Sequence, residues 1–476
     1  MHYARVNGEL GLLRRLLVII IAFIVALTGC SESEPATRQS TRPIAENAEA
    51  TRTVEATVEG TRVAERVVTA TPLPATPTPG PLDGAQPDPS EQSTLSETVG
   101  SSPLERSVYR TGFDEWLAGE GHFADWQMSG ARLSVNGQLV LNPTTAVSEP
   151  DPYAAGTYYG GNFYTGGTYW VGEAIGPAVP ADFDFSELIP SWNAVTPAGT
   201  WVEVLVRVEL DGRWTKWHNL GIWASGSGTI RRHSVPGQGD DDGDVAVDTL
   251  VIAAQKAAVH AYQLKVRLFS VDGEATPSVR YLSAATSTTL PKDGEPSAGN
   301  PAYWDTLLAV PECSQMVYPD GGSGWCSPTS TSMIVSYWEN HTGPCAPAVR
   351  AAAAGTYDWI YGGTGNWPFN TAYAATHGLH GSVRRFSSMD EIEAWVAQGV
   401  PVVIGFAWGE GQLTGAALPR SAGHLSVVVG FDSQGNPIVN DPAADSDGAV
   451  QRTYLRSELE PLWLESTGGT VYLIKP

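Results

Sequence analysis

A cysteine in the last third of the sequence is placed to act as a nucleophile. Cys326 lies in the segment GWCSPTS at residues 324–330, where Pro328 suits the first turn of a helix. Apolar residues at helical spacing follow, so Cys326 is predicted at the N-terminus of a buried helix over residues 327–338. The positive end of the helix dipole stabilises a thiolate, which is the nucleophilic form of cysteine.

A histidine and an aspartate on two successive predicted strands could serve this cysteine. His424 opens a strand over residues 424–431, and Asp441 directly follows a strand over residues 437–440. The turn at residues 432–436 would close the two strands into a hairpin and bring Asp441 near His424. In this arrangement His424 is the general base, and Asp441 accepts its Nδ1 hydrogen so that Nε2 faces the thiol.

A glutamine upstream of Cys326 is a candidate donor to an oxyanion. The side-chain amide of Gln315 and the backbone N–H of Cys326 could together bind the oxygen of a tetrahedral intermediate. The catalytic set predicted from the residues is therefore Cys326, His424, Asp441 and Gln315.

Helix signals precede most strand signals in residues 300–476, which predicts an α+β domain. Besides the helix at Cys326, residues 388–398 predict a helix with a capping box formed by Ser388 and Glu391, and with Gly399 after its end. The predicted strands cover residues 401–408, 424–431, 437–440 and 470–474.

The order glutamine, cysteine, histidine, aspartate in these elements resembles the papain superfamily, and more closely the bacteriocin-processing (double-glycine leader) peptidases. The resemblance covers about residues 303–476, and its carrying segments are residues 310–315, 324–338, 365–370, 423–430 and 440–442. It implies a papain-like fold and thiol hydrolysis of amide bonds in a peptide or protein substrate, with no cofactor required. One departure is the insertion at residues 318–323, which lengthens the gap between Gln315 and Cys326.

Other functions remain open for the same residues. A cell-wall amidase or transacylase would use the same cysteine, histidine and aspartate. A glycan- or peptide-binding protein with an inactive peptidase-like domain is an alternative of another class. A zinc site built from Cys313, Cys326, Cys345 and His341 is conceivable from the ligand types, but the spacing has no Cys-x-x-Cys pair.

Residues 106–295 show the period-two alternation of half-buried strands and no long helical pattern. The predicted strands, at residues 201–210, 213–224, 248–254, 260–270 and 278–283, are typical of an all-β, jelly-roll-like sandwich. We assign the tryptophans of this region to its core, with a ligand groove as the alternative. The acidic turn containing Asp240, Asp242 and Asp244 is a candidate calcium site, although its spacing does not match an EF-hand loop.

The cysteine count favours one free thiol. The chain has four cysteines, Cys30, Cys313, Cys326 and Cys345. If Cys30 carries lipid, three remain, and an odd number leaves one thiol unpaired in an oxidising compartment. We predict a disulfide between Cys313 and Cys345, which flank Cys326 and would leave it free.

The N-terminus carries an export signal rather than a folded element. Arg14 and Arg15 precede an apolar stretch at residues 16–27 that is short for a membrane span. The following LTGC resembles a bacterial lipobox, which implies a signal peptide over residues 1–30 and a lipid on Cys30 that holds the exported chain on the membrane, facing the cell exterior or periplasm. Residues 31–105 are rich in Thr, Pro and Ala and are predicted to be a disordered tether.

The charge of the chain argues against one class of partner. Its 476 residues carry a formal net charge of −23. Such a surface repels phosphate, so nucleic acid is not an expected partner.

Overall fold

The computed structural model describes residues 109–150, 163–164, 167–253, 258–288 and 296–476. The predicted signal peptide, the lipid site at Cys30 and the tether over residues 31–105 lie outside these residues. Within the described part, no helix is long and apolar enough to cross a membrane. The domain limits of 106–295 and 300–476 stay predictions.

The described residues before position 290 are rich in strands. These are β1 (Thr111–Leu117), β2 (Gln127–Ser129), β3 (Ala131–Leu133), β4 (Leu139–Leu141), β5 (Val147–Pro150), β6 (Thr168–Ile175), β7 (Val179–Pro180), β8 (Glu187–Val195), β9 (Thr200–Leu210), β10 (Arg213–Trp214), β11 (His218–Trp223), β12 (Gly243–Ala246), β13 (Thr249–Ile252), β14 (Val259–Ser270) and β15 (Ser278–Ser287). Sheet A has the order β12-β13-β8-β15-β4-β3, with β1 also on β15. Sheet B has the order β10-β9-β14-β6-β2, with β11 on β9, β5 on β6 and β7 on β14.

Sheets A and B pack face to face because their strands alternate in polarity. In β9, Val202, Val204 and Val206 are fully buried and share one core with Leu282 of sheet A. The neighbouring Glu203 points to the other face, where it pairs with a cation of β14. The single strand predicted over residues 213–224 is two strands, β10 and β11, with residues 215–217 between them.

The last 181 residues, 296–476, combine helices with a third sheet. The elements are β16 (Thr306–Leu307), α1 (Cys326–Trp338), α2 (Cys345–Thr356), α3 (Trp367–Thr376), β17 (His380–Arg385), α4 (Met389–Val396), β18 (Val402–Trp408), β19 (Ser421–Phe431), β20 (Pro437–Asn440), β21 (Gln451–Thr453), α5 (Arg456–Thr467) and β22 (Thr470–Lys475). Sheet C has the order β17-β22-β18-β19-β20-β21, with β16 on β19. Helix α1 packs on this sheet, and the Ser330 hydroxyl donates to the Leu425 carbonyl of β19 at 3.2 Å.

Sheet A packs on the helical part of the chain as well as on sheet B. Strand β8 is therefore buried on both faces: Trp192 faces the sandwich core, whereas Ser191 and Asn193 hydrogen-bond the backbone of β17. Phe369 of α3 is fully buried in the same core, against Trp192 and Trp223, at ring-centroid distances of 6.1 and 5.4 Å. The sandwich and the helical part thus share one continuous core.

The start of α4 differs from its prediction. The helix is shorter than residues 388–398, and Ser388 makes no side-chain capping hydrogen bond. Glu391 instead accepts hydrogen bonds from the N–H and the hydroxyl of Ser387, at 2.7 and 2.9 Å. The predicted capping box is therefore wrong, because the glutamate reaches one residue further back. Gly399 follows the helix with a φ of 84°, a conformation that glycine adopts without strain.

Candidate active site

Cys326 is the first residue of α1 and is half-buried, whereas the next ten residues of the helix, 327–336, are buried. The N–H groups of the first helical turn have no acceptor within the helix, so they point toward the thiol end. The helix is fixed in position by two buried contacts: the Ser327 hydroxyl bonds the Tyr472 hydroxyl of β22 at 2.9 Å, and Thr331 bonds Asn370 of α3 at 3.2 Å. The helix that begins at Cys326 is therefore held by side chains of β22 and α3.

The hairpin of β19 and β20 brings His424 and Asp441 together. Asn440, the last residue of β20, pairs with Val427 of β19, so the next residue, Asp441, reaches the end of β19 where His424 lies. The distance between His424 Nε2 and Asp441 Oδ1 is 2.7 Å, and both side chains are buried. The predicted proximity of these two residues is confirmed by this geometry.

The ring nitrogen that faces the aspartate differs from the prediction. Nε2, not Nδ1, contacts Asp441, which leaves Nδ1 for the Cys326 thiol. The reason is geometric: Nδ1 lies close to the backbone of β19, against which α1 packs, whereas Nε2 lies at the far end of the ring and reaches Asp441. The serine-triad arrangement used for the prediction has the opposite assignment.

The buried histidine and aspartate favour their charged forms together. Burial opposes charge on His424, but the Asp441 carboxylate, its hydrogen bond and the contact with Cys326 raise the pKa of His424 to about 10. Burial would raise the pKa of Asp441, but the imidazolium and the hydrogen bonds from Tyr454 and the Ala443 N–H hold it below its ordinary value. An imidazolium paired with a carboxylate is thus the resting state at neutral pH.

Three aromatic side chains around this pair were missed by sequence reasoning. Phe406 and Trp408 of β18 approach the His424 ring edge-on, at centroid distances of 5.6 and 5.5 Å. Tyr454 donates its hydroxyl to Asp441 Oδ2 at 2.6 Å and is fully buried. The first two belong to the strand predicted over residues 401–408, but the pairing of that strand with the His424 strand was not predicted. Tyr454 lies in a loop and had no sequence signal.

Removal of the Tyr454 hydroxyl should weaken the site. Tyr454→Phe leaves Oδ2 of a buried carboxylate without this donor, and a hydrogen bond to a charged group contributes about 2 kcal/mol. We expect that loss in the free energy of unfolding, measured in urea, and a fall of roughly tenfold in turnover. The control is Tyr303→Phe, which removes the hydroxyl of a half-buried ring in a different part of the domain from Asp441. Equal stability of the two variants would contradict the role given to Tyr454.

Gln315 lies near the site, but its amide is engaged. Its Nε2 donates to the carbonyls of Gly322 and Ser323, at 2.8 and 3.1 Å, and its backbone N–H donates to the Pro442 carbonyl. The insertion at residues 318–323 supplies both side-chain acceptors, which explains why the longer gap changes the environment of this glutamine. The oxyanion role of Gln315 stays a prediction that requires its amide to leave these carbonyls.

The predicted disulfide is confirmed. Cys313 and Cys345 are bonded, with their Cα atoms 5.6 Å apart, and Cys326 is the free cysteine of the described residues. The bond joins the segment before α1 to the start of α2. It also removes two thiols from the zinc alternative, which is therefore wrong for the four-residue set proposed from the sequence.

The acidic turn before β12 is occupied by cations of the chain itself. Asp242 forms a two-pronged ion pair with Arg213, at 2.6 and 2.8 Å, and Asp240 pairs with Lys216 at 2.9 Å. Asp244 accepts the N–H of its neighbour Val245. Among the described residues no three acidic, histidine or cysteine side chains are grouped as a metal site, so calcium stays a hypothesis without a ligand cluster.

Two residues of α3 make hydrogen bonds within the protein. Asn370 is fully buried and donates to the carbonyls of Thr364 and Asn366. The Trp367 backbone N–H, at the start of α3, binds Asp248 of the sandwich at 2.7 Å. This contact links the two parts of the chain beside the cysteine helix.

Two families match consecutive parts of the chain. Residues 113–287 match the family described as "Peptidase C39 N-terminal domain". Residues 307–471 match the family described as "Peptidase_C39 like family". The second match contains Cys326, His424, Asp441 and Gln315. No curated protein matches the chain.

Solved structures give weaker similarity. A putative C39-like peptidase from Bacillus anthracis is 19% identical, with 36% of this chain and 98% of that chain covered and a TM-score of 0.27. A structure of carbohydrate-binding modules of the β-sandwich superfamily is 10% identical, covering 36% and 55%, with a TM-score of 0.16. A family two carbohydrate esterase from Cellvibrio japonicus is 11% identical, covering 48% and 50%, with a TM-score of 0.13. These scores carry no argument, and the family matches decide the assignment. The chain therefore carries a papain-like, C39 peptidase-like domain over residues 307–471.

Proposed function

We propose that this chain is a cysteine peptidase that cleaves peptide bonds through an acyl-enzyme on Cys326. One observation carries the proposal: a free, half-buried thiol at a helix N-terminus lies beside a buried histidine whose Nε2 is 2.7 Å from a buried carboxylate. A thiol so placed can form a thiolate–imidazolium pair before substrate arrives. A structural cysteine needs no such partners.

The first half of the reaction forms the acyl-enzyme. In the resting pair the Cys326 proton already lies on His424 Nδ1, and the thiolate sulfur attacks the carbonyl carbon, so that a C–S bond forms and the carbonyl oxygen becomes negative. Collapse of this intermediate breaks the C–N bond, and the proton on Nδ1 moves to the departing amine nitrogen. Asp441 accepts the Nε2 hydrogen throughout and keeps the ring oriented.

The second half releases the product. A water molecule gives a proton to Nδ1 and attacks the thioester carbon, and the C–S bond then breaks to release the carboxylic acid and restore the pair. The oxyanion of both steps would be bound by the free N–H groups of the first turn of α1. Phe406 and Trp408 cover the histidine and keep water from competing for its hydrogen bond to Asp441.

The proposed location is the outer face of a bacterial membrane. The lipobox-like sequence ending at Cys30 supports a lipid anchor, and residues 31–105 would hold the catalytic part away from the lipid surface. The disulfide between Cys313 and Cys345 fits an oxidising compartment outside the cytoplasm.

Covalent labelling followed by substrate profiling tests the proposal. An epoxide electrophile should add to Cys326 of the full-length chain, as read by peptide mass spectrometry, and should block cleavage of a peptide library. Purified peptidoglycan in a parallel digestion separates a peptidase from a cell-wall amidase. Lack of labelling at Cys326, or cleavage that survives complete labelling, would refute the thiol mechanism. Cleavage of peptidoglycan alone would refute the peptidase assignment.

A further inference from the structure

The tip of one sandwich hairpin reaches into the C39-like domain. Strands β12 and β13 are joined by Val247 and Asp248, and Val247 has a φ of 62°, which is strained for a β-branched residue. Asp248 is 5% exposed, and its Oδ2 accepts the N–H of Trp367, the first residue of α3, at 2.7 Å. The carboxylate thus holds the N-terminus of a helix from the other domain.

A second sandwich segment holds the residues just before that helix. We call residues 357–366, between α2 and α3, the linking loop. The Ser234 N–H of the sandwich donates to both oxygens of Asp358 at 3.1 Å, and the Asn366 amide donates to the same carboxylate at 3.0 Å. Asp358 is fully buried. The sandwich residue Arg232 completes the contact, because its carbonyl accepts the Trp359 N–H at 3.1 Å.

The linking loop in turn contacts the segment that carries the nucleophile. The Thr364 hydroxyl donates at 2.9 Å to the carbonyl of Gly324, two residues before Cys326. Thr364 is 3% exposed, so this hydrogen bond is shielded from water. A continuous set of buried hydrogen bonds therefore runs from the sandwich, through the linking loop, to the cysteine.

We propose that the β-sandwich is part of the thiol site, and that Asp248 is a positioning residue through which it holds α3 and the linking loop against the Cys326 segment. The proposal rests on Cys326 being the nucleophile. It assigns the sandwich a role inside the chain, which explains why Phe369 of α3 is inserted into the sandwich core. A sandwich that merely recruited a ligand would need neither contact.

The charge of Asp248 is consistent with this position. Burial raises the pKa of its carboxyl to about 7, although the hydrogen bonds from the Trp367 N–H and Thr249 favour the carboxylate. Asp358 of the linking loop faces it and disfavours a second negative charge, and Tyr361 and Tyr472 are its other titratable neighbours. The carboxylate accepts hydrogen bonds from the Trp367 N–H at 2.7 Å and from the Thr249 hydroxyl at 3.0 Å, so the N-terminus of α3 is its partner in the C39-like domain.

Asp248→Ala, Asp248→Asn and Asp244→Ala in the full-length chain test the proposal. Asparagine keeps an acceptor for the Trp367 N–H and alanine does not, whereas Asp244 lies on the same hairpin and accepts the N–H of its neighbour Val245. The readouts are the rate of Cys326 alkylation by iodoacetamide at fixed pH, hydrogen exchange of residues 357–366, and kcat and KM separately. Alkylation and hydrogen exchange need no substrate, so they report on the contacts of Asp248 with α3 and the linking loop even if the peptidase assignment fails.

We expect Asp248→Ala to slow alkylation roughly fivefold, as for the loss of one hydrogen bond, with faster exchange in the linking loop and a lower kcat at similar KM. Asp248→Asn should restore most of the rate, and Asp244→Ala should match the wild type. Thr364→Val keeps the shape of the side chain and removes the hydrogen bond from Thr364 to the Gly324 carbonyl. It should reproduce the slow alkylation even if Asp248→Ala fails to fold. Wild-type alkylation in Thr364→Val, or no recovery in Asp248→Asn, would overturn the proposal.

Discussion

Replacement of Cys326 by alanine is expected to abolish peptide cleavage and to leave the fold intact. The sulfur is the group that forms the covalent bond, so the variant should lose roughly 10⁴-fold or more in kcat. The fold should tolerate the change because the side chain is half-buried and forms no disulfide. Initial-rate kinetics on a library-derived peptide measure the first effect, and thermal unfolding measures the second.

A variant at an exposed residue of the loop before Cys326 separates loss of the nucleophile from a general disturbance of the fold. Asp320 forms an ion pair with Arg350 in which both side chains are about half exposed, and it lies six residues before the cysteine. Asp320→Asn should therefore keep the wild-type rate. The wild-type protein treated with iodoacetamide should have the same residual cleavage rate as Cys326→Ala. Substantial turnover by a folded Cys326→Ala protein would remove the nucleophile from its role.

The strands that hold the site were predictable because their pattern is local. Strands β9 and β14 alternate buried and partly exposed residues over positions 206–210 and 262–268, and β19 combines an apolar run with a following turn. Strand β20 was predicted with its observed limits, Pro437–Asn440. Since a hairpin of known turn position fixes register, the meeting of His424 and Asp441 followed from the sequence.

Elements whose polarity depends on the other domain were not predictable in this way. Strand β8 carries Ser191 and Asn193 in buried positions, and their side chains hydrogen-bond the backbone of β17, which lies 188 to 192 residues later. A period-two pattern cannot show such a partner. Helix α3 had a local signal, Asn366 capping the Phe369 N–H with Pro368 after it, but that signal was not used.

The sequence predicted that His424 and Asp441 meet, but not the details of their contacts. Which nitrogen of His424 meets Asp441 depends on how α1 packs against β19, a tertiary contact. The hydrogen bonds of Gln315 depend on the conformation of the insertion at residues 318–323. Tyr454 donates a hydrogen bond to the Asp441 carboxylate from a loop after β21, and no spacing in the sequence indicates this contact.

Asp441→Asn is the second variant with a large expected effect. In the wild type, the carboxylate offsets the burial that would otherwise lower the pKa of His424, and that pKa is about 10. Without the negative charge the burial remains, so the pKa should fall to or below its ordinary value near 6.5. The imidazolium would then be absent at pH 8, and we expect a loss of roughly 10²- to 10³-fold in kcat.

The pH dependence gives this variant a signature that instability alone would not. The pKa of His424 is raised, so the stabilisation of its charged form is complete below about pH 6.5 and is lost as pH rises through about 10. The pKa of Asp441 is lowered, so its contribution is present above its ordinary value and lost as pH falls through the folded-state value. Both contributions should vanish in Asp441→Asn when unfolding free energy is measured against pH.

The alkaline limb of the rate profile is the decisive measurement. Activity of the wild type should persist into alkaline solution and fall as His424 loses its proton near pH 10, whereas the limb of Asp441→Asn should lie several pH units lower. Asp445→Asn removes the same charge from an exposed position four residues away and should keep the wild-type limb. If Asp441→Asn also keeps it, the charge that holds the proton on His424 comes from another group, and the ion pair is not what prepares the thiolate for attack.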